Sequence, residues 1–113
     1  SLDADPGYEV RQAAAQELGK YVREAGVVSA LAACLKKEKE PSVRYACALS
    51  MALSDTPASV DALEAAAGDV DPNLRRQAAS SLRRHTSVKA KATLRRLERD
   101  QDGSVRKMAG GKN

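Results

Sequence analysis

A spacing of 31 residues constrains what this chain can fold into. A Val-Arg or Leu-Arg pair recurs at that interval, each time with a carboxylate six positions before the arginine and a small residue three positions after it. The matched residues are Arg44, Arg75 and Arg106, the carboxylates Glu38, Asp69 and Asp100, and the small residues Cys47, Ala78 and Ala109. Because several classes of position agree at once, we interpret the chain as an array of one repeated structural unit.

An earlier copy of the unit contains Val10 and Arg11, 33 residues before Val43 and Arg44. We place the two extra residues in the turn that precedes Tyr8. We also expect Val10 to continue the apolar face of the array, as its matched residues do.

Each unit is predicted to be a pair of helices. Asp71 and Pro72 are typical of a helix start, and Leu74, Ala78 and Leu82 then recur every four residues on one face. The composition agrees, since 21 of the 113 residues are Ala and the only aromatic residues are three Tyr, which favours helices over a sheet. The predicted helices span residues 8–22, 25–37, 41–54, 57–68, 72–84 and 86–99.

One helix pair cannot bury its own apolar face, whereas stacked pairs can, which predicts an all-α solenoid. The repeat resembles the HEAT-like repeats of about 31 residues first recognised in phycobilin lyases, whose pattern is close to D-x-D-P-x-V-R-x-x-A-A-x-x-L. The residues that match this pattern best are Asp69, Asp71, Pro72, Leu74, Arg75, Ala78, Ala79 and Leu82. The resemblance implies one HEAT-like domain over residues 1–113, with about three and a half repeats, or a fragment of a longer chain. Residues 110–113 are expected to form a disordered tail.

The repeated carboxylate and arginine are predicted to pair at the corner between helices. On a helical wheel Arg75 projects close to the buried face that Leu74 and Leu82 define, where an unpaired charge is costly. We therefore expect three ion pairs, each between an arginine and the carboxylate six residues earlier: Glu38 with Arg44, Asp69 with Arg75, and Asp100 with Arg106. The resemblance implies that such pairs fix the turn and link neighbouring repeats.

No catalytic, metal-binding or cofactor-binding motif emerges, so the prediction is a protein that is not an enzyme. His85 is the only histidine and lies at a predicted helix end. Cys34 and Cys47 are interpreted as free, packed thiols in a reducing compartment, which favours a cytoplasmic protein. No apolar run approaches the length of about 20 residues that would cross a bilayer.

The charge is divided unevenly along the chain. Residues 1–71 carry 7 basic and 12 acidic side chains, and residues 72–113 carry 12 basic and 3 acidic ones, so the two parts have net charges of −5 and +9. Three interpretations of the basic part remain open: a solvated face, a site for an acidic protein partner, and a nucleic-acid surface. The absence of Trp and Phe for base stacking disfavours the last.

We interpret the chain as a scaffold or adaptor that binds a protein partner on a concave surface, which the resemblance assigns to the motif-bearing helix of each unit. The predicted groove residues are Gln12, Gln16, Tyr45, Leu49, Arg76, Ser80 and Arg83. The repeat subtype alone suggests an alternative, a bilin lyase or lyase subunit. Self-association also stays open, because the last repeat breaks off after Asp102 and leaves one end of the array without a cap.

Overall fold

A computed structural model describes residues 7–110, and within them every regular element is helical. The helices are α1 (Tyr8–Leu18), α2 (Val27–Lys37), α3 (Pro41–Ser50), α4 (Pro57–Ala66), α5 (Pro72–Leu82), α6 (Val88–Leu97) and α7 (Gly103–Met108), and a 3-10 turn at Gly19–Tyr21 follows α1. The predicted helices are all present, each two or four residues shorter at one or both ends. The all-α prediction is confirmed.

Local chemistry sets where the helices begin. Pro occupies the first position of α3, α4 and α5, where its missing N–H costs nothing. Side-chain oxygens cap four helix starts by accepting a hydrogen bond from a backbone N–H of the first turn. The capping residues are Thr56 for α4, Asp71 for α5, Ser87 for α6 and Asp102 for α7.

The helices stack in two layers that advance along the molecule. The odd-numbered helices α1, α3, α5 and α7 each contact the next in one layer, and the even-numbered helices α2, α4 and α6 do so in the other. The contacts are more extensive within the odd layer than within the even layer. The described part measures 40 × 32 × 17 Å. This progression is that of an α-solenoid, as predicted.

The core lies between the layers and uses the predicted positions. Leu74, Ala78 and Leu82 of α5 are fully buried, and the buried Cys47 of α3 and Met51 just after it occupy equivalent positions one unit earlier. Small residues let the helices approach, since Ala48 and Ala79 are also fully buried. The positions that repeat as apolar in the sequence are therefore the positions that fill the core.

The first helix keeps the aligned register but is less covered than α3. Ala15, which aligns with Ala48 and Ala79, is buried, whereas Val10, which aligns with the buried Val43, is 72% exposed. The two helices approach closely: a β-carbon on Gly19 would lie 3.0 Å from Ser50 Oγ, and that hydroxyl donates a hydrogen bond to the Ala15 carbonyl at 2.6 Å. The prediction that Val10 lies on the core face was wrong, because among the described residues α1 packs against an odd-layer helix on one side only.

The two cysteines form a disulfide. Cys34 of α2 and Cys47 of α3 are bonded with Cα atoms 6.4 Å apart, so the bond ties the even layer to the odd layer. The prediction of free thiols was wrong, because the chain reversal between α2 and α3 brings the two side chains together. The inference of a reducing compartment rested on free thiols and loses that support.

Two further predictions concern the C-terminal tail and the absence of a membrane-spanning segment. The predicted tail, residues 110–113, lies outside them except for Gly110. Among the helices of residues 7–110, none has the length and apolar character needed to cross a bilayer.

Candidate interaction surface

The arginine of each repeat connects two corners of the array. Arg44 of α3 donates from Nε and Nη2 to the two carboxylate oxygens of Asp69, at 3.0 and 3.2 Å. Its Nη1 donates to the backbone carbonyls of Glu38 at 3.2 Å and Lys39 at 3.0 Å. One guanidinium thus binds the backbone of its own corner and the carboxylate of the next.

The same arrangement recurs one unit later. Arg75 of α5 donates from Nε and Nη2 to Asp100 at 2.9 and 3.1 Å, and from Nη1 to the carbonyls of Asp69 at 2.8 Å and Val70 at 3.1 Å. Arg11 of α1 also makes a two-bonded pair, with both contacts to the Glu38 carboxylate at 2.8 Å. These repeated pairs form a ladder along the corners, which we call the corner ladder.

Each corner carboxylate also fixes its own turn. Asp69 accepts a hydrogen bond from the Asp71 N–H at 2.9 Å, and Asp100 accepts one from the Asp102 N–H at 2.8 Å. Burial opposes the charged form of Asp100, but the hydrogen bonds from Arg75 and from the Asp102 backbone outweigh it, so the pKa of Asp100 lies below its ordinary value. The carboxylate is therefore held charged between two units.

The predicted pairing within one unit was wrong. Arg44 and Arg75 bind the carboxylate 25 residues after them, and they contact the residue six positions before them only through its backbone carbonyl. Arg106 likewise donates to the Asp100 carbonyl, at 2.7 Å. The carboxylates and the arginines do meet along the corners, but Asp69 pairs with Arg44 and Asp100 pairs with Arg75.

Part of the predicted groove surrounds one cleft. The cleft lies at the starts of α3 and α5 and has a volume of about 540 Å³. Three predicted groove residues line it, namely Gln12, Tyr45 and Arg76, together with Glu40, Pro41, Ser42, Asp71 and Asn73. Of the other predicted residues, Gln16, Leu49 and Arg83 are exposed and Ser80 is half-buried, all outside this cleft.

The two groove arginines hold only neutral partners. Arg76 donates to Asn73 Oδ1 at 2.6 Å and to Ser104 Oγ at 3.1 Å, and Arg83 donates to the Met108 carbonyl at 3.3 Å. Neither has a carboxylate partner anywhere in residues 7–110. Neighbouring helices thus hold both guanidinium groups without a direct ion pair, although Glu40 and Asp71 line the same cleft as Arg76.

The even layer carries a different kind of contact. Lys89 of α6 forms ion pairs with Asp61 and Glu64 of α4, and Glu64 also accepts a hydrogen bond from Thr93 at 3.0 Å. Hydrogen bonds from Lys89 to the two carboxylates raise the pKa of Lys89 above its ordinary value. Lys89 is one of the 12 basic residues in residues 72–113, yet its charge is balanced by carboxylates of α4.

Among the clefts beside the even-layer helices are two to which no sequence signal pointed. One, of about 330 Å³, separates α2 from α4 and is lined mainly by small residues: Ala32, Ala58, Ala62, Ala65 and Ala66, with Leu35, Lys36, Asp61 and Asp69 completing it. The other, of about 390 Å³, lies at the corner before α6 and includes His85, whose Nε2 is buried without a hydrogen-bond partner. No group of metal-ligating side chains large enough to hold an ion occurs in the described range.

Comparison with known families agrees with this geometry. A family model described as HEAT repeats matches residues 1–83. The chain belongs to the HEAT repeat family. No curated protein matches it. HEAT repeats commonly serve as protein-interaction scaffolds, and this repeat array is of the kind on which such surfaces are built.

Proposed function

We propose that this HEAT repeat protein is a non-catalytic scaffold that binds an acidic segment of a protein partner on the solvent-facing side of the odd layer. We call this side the groove face and define it by Gln12, Gln16, Tyr45, Leu49, Arg76, Ser80 and Arg83. The observation that carries the proposal is the presence of two arginines without carboxylate partners on the helix that follows the exposed Leu49 in the odd layer.

The apolar part of the groove face belongs to α3. Leu49 of α3 is 47% exposed, and Tyr45, one turn earlier on the same helix, lines the cleft at the starts of α3 and α5. An exposed leucine is ordinary by itself, but one that continues an apolar surface from a cleft is typical of a surface that receives another apolar side chain. This part of the groove would bury an apolar residue of the partner.

The charged part of the groove face belongs to α5. Arg76 and Arg83 are held by neutral acceptors on α5 and α7, so their orientation is set before a partner arrives. Charge-assisted hydrogen bonds to carboxylates are about twice as strong as neutral ones, and an acidic partner would therefore displace the neutral contacts. The preferred partner segment combines carboxylates with an apolar side chain.

The two cysteines and the corner carboxylates have structural roles in the described part of the chain, which supports a binding function. Cys34 and Cys47 are joined to each other, and the corner carboxylates are bound by arginines. The pairing of Lys89 with α4 also removes one cation from any continuous basic stripe, which weakens the case for nucleic acid.

Affinity purification from the source cell, with quantitative mass spectrometry, tests the proposal. The groove variant combines Tyr45→Ala, Leu49→Ala and Arg76→Glu. The control combines Val70→Ala, Val88→Ala and Arg95→Glu at exposed positions off the groove face; Val70 and Val88 are 89% and 83% exposed. Because Tyr45 also packs against the core, the thermal stability of both variants is compared before binding is scored.

We expect at least one protein to bind the wild type and the control variant and to be lost from the groove variant. Its acidic segment, made as a peptide, should then bind the purified wild type, more weakly at higher ionic strength. Equal retention of every captured protein by the two variants would contradict the proposal.

A further inference from the structure

The groove face repeats in position but changes in chemistry from one odd-layer helix to the next. Two positions of the unit define it, namely the residue after the motif arginine and the residue four places later, which share one helix face. At the first position stand Gln12, Tyr45 and Arg76, and at the second stand Gln16, Leu49 and Ser80. Helix α1 therefore presents amides, α3 presents apolar groups, and α5 presents a hydroxyl beside cations.

One cleft crosses these three helices. Gln12 of α1, Tyr45 of α3 and Arg76 of α5 all line the cleft of about 540 Å³. The axes of packed helices lie about 8–10 Å apart. A polyproline II segment completes a turn in three residues and advances about 3.1 Å per residue, so it moves about 9 Å per turn. Such a segment, laid across the odd layer, presents every third side chain to the next helix.

The charges along α5 select where an acidic side chain binds. Arg76 and Arg83 stand one turn before and one turn after the half-buried Ser80, and hydrogen bonds to acceptors on α7 hold both guanidinium groups. Glu40 and Asp71 line the cleft at the starts of α3 and α5 and repel a carboxylate there. An acidic side chain is therefore favoured further along α5, over Ser80 and between the two arginines.

We infer that the groove face reads a polyproline II segment of the partner at every third residue. An amide side chain of the segment binds between Gln12 and Gln16, because amides both donate and accept hydrogen bonds. The next recognised side chain is apolar and packs on Leu49 of α3, and the third is acidic and binds between Arg76 and Arg83 of α5. The inference rests on the proposed function and adds the conformation of the segment and the order of its side chains.

The polyproline II conformation also suits a surface of this kind energetically. It is largely formed before binding, so the segment loses little conformational entropy when it binds. The groove arginines are held by neutral acceptors in the same way before a partner arrives. Both sides of the contact are thus ordered in advance.

A peptide titration followed by NMR of the isotopically labelled whole chain tests the inference. The parent probes are the acetylated, amidated peptide Gln-Pro-Pro-Leu-Pro-Pro-Glu and the peptide of reversed sequence, which cover the two directions in which the segment can lie. The control for the first, Gln-Pro-Pro-Leu-Pro-Glu-Pro, has the same composition but carries its acid one residue earlier, on another side of the polyproline II helix. The control for the reversed peptide is altered in the same way.

We expect one parent peptide to shift the backbone amide signals of Gln16, Leu49 and Ser80 in a saturable way. Its control should bind at least about tenfold more weakly, because its carboxylate misses the charge-assisted hydrogen bonds of the two arginines. Arg83→Gln should weaken the parent by about tenfold and leave the control peptide unchanged. Arg95→Gln, which removes a cation of α6 off the groove face, should change neither.

The possible failures are distinguishable from failure of the proposed function. Equal binding of a parent and its control, shifts confined to α5, or no saturable binding of either parent would each overturn the inference. A partner lost only from the groove variant in the affinity purification would still support an acidic segment of another conformation or order. Circular dichroism of the Arg83→Gln protein separates lost binding from lost folding.

Discussion

The two layers of the molecule are joined by different means. In the odd layer the joint is the same each time: Arg44 binds Asp69 and Arg75 binds Asp100, both over 25 residues, with both partners mostly buried. In the even layer, Lys89 pairs with Asp61 of α4, and these side chains are 52% and 62% exposed. Between α2 and α4 an alanine-lined cleft takes the place of such a contact.

This difference shows what the sequence repetition encodes. The repeated motif specifies the joint between units, so it is confined to the odd-layer helices and their corners. The even layer covers the core from the other side, and its contacts vary from joint to joint. Substitutions in the corner ladder should therefore destabilise the array more than equivalent substitutions in the even layer.

The largest effect is expected from Arg75→Ala. The substitution leaves Asp100 charged, mostly buried and without its partner, which should lower the free energy of unfolding by about 4 kcal/mol. Arg76→Ala, on the same helix but bound only to neutral acceptors, should cost within about 1 kcal/mol. Urea denaturation measures both, and equal losses would contradict the special role of the ladder.

A smaller loss of stability is expected from removing the disulfide that joins the two layers. Replacing Cys34 and Cys47 by Ser opens a loop of 13 residues, which should lower stability by about 3 kcal/mol if the loss is entropic. The wild type should lose a similar amount in the presence of a thiol reductant, and the double variant should not respond to it. A wild type that is insensitive to reductant would show that the disulfide contributes nothing.

Removing a helix cap in the even layer should lower the stability by less than removing the disulfide. Ser87 accepts a hydrogen bond from the Ala90 N–H at 3.1 Å, and Ser87→Ala should cost about 1 kcal/mol. Ser29→Ala, at an exposed position within α2, is the control and should change stability little. Thermal unfolding followed by circular dichroism compares the two variants.

The smallest effects concern the pH dependence of stability. The ion pair of the odd layer should weaken in acid, and that of the even layer should weaken in alkali. The pKa of Asp100 is lowered in the folded state, so its contribution is present above the ordinary value of 3.8 and is lost as the pH falls through the folded value. The stability difference between the wild type and Asp100→Asn should therefore shrink in acid. A difference that stayed constant below pH 4 would contradict the charged pair.

The ion pair of Lys89 in the even layer should respond at alkaline rather than acidic pH. The pKa of Lys89 is raised, so its contribution is present below the ordinary value of 10.5 and is lost as the pH rises through the folded value. The difference between the wild type and Lys89→Met should shrink only in strong alkali. Since Lys89 is exposed, added salt should weaken this contribution more than that of Asp100.

Much of the fold could be read from the sequence because burial repeats with the unit. The apolar positions of α5, Leu74, Ala78 and Leu82, follow the helical period, and Pro and Asp mark the helix starts. The exposure of Val10 was not foreseen because the alignment treats α1 like α3, although in the described residues α1 packs against an odd-layer helix on one side only. The disulfide was missed because a separation of 13 residues across a chain reversal gives no signal of contact.

The pairing of the ladder could not be read from the period itself. With a unit of 31 residues, a carboxylate six residues before one arginine is also 25 residues after the previous arginine, so both pairings have the same pattern. Only the packing of one unit on the next decides between them. The groove face could be named from helical faces, but which residues share the cleft depended on where neighbouring helices lie.

Double-mutant cycles on Asp69 test the central claim that each arginine joins its own corner to the next one. One cycle combines Asp69→Asn with Arg44→Met, and the other combines Asp69→Asn with Arg75→Met. We predict a coupling of about 2 kcal/mol in the first cycle and close to zero in the second, because Arg75 contacts only the backbone carbonyl of Asp69. A coupling confined to the Arg75 cycle would contradict the account.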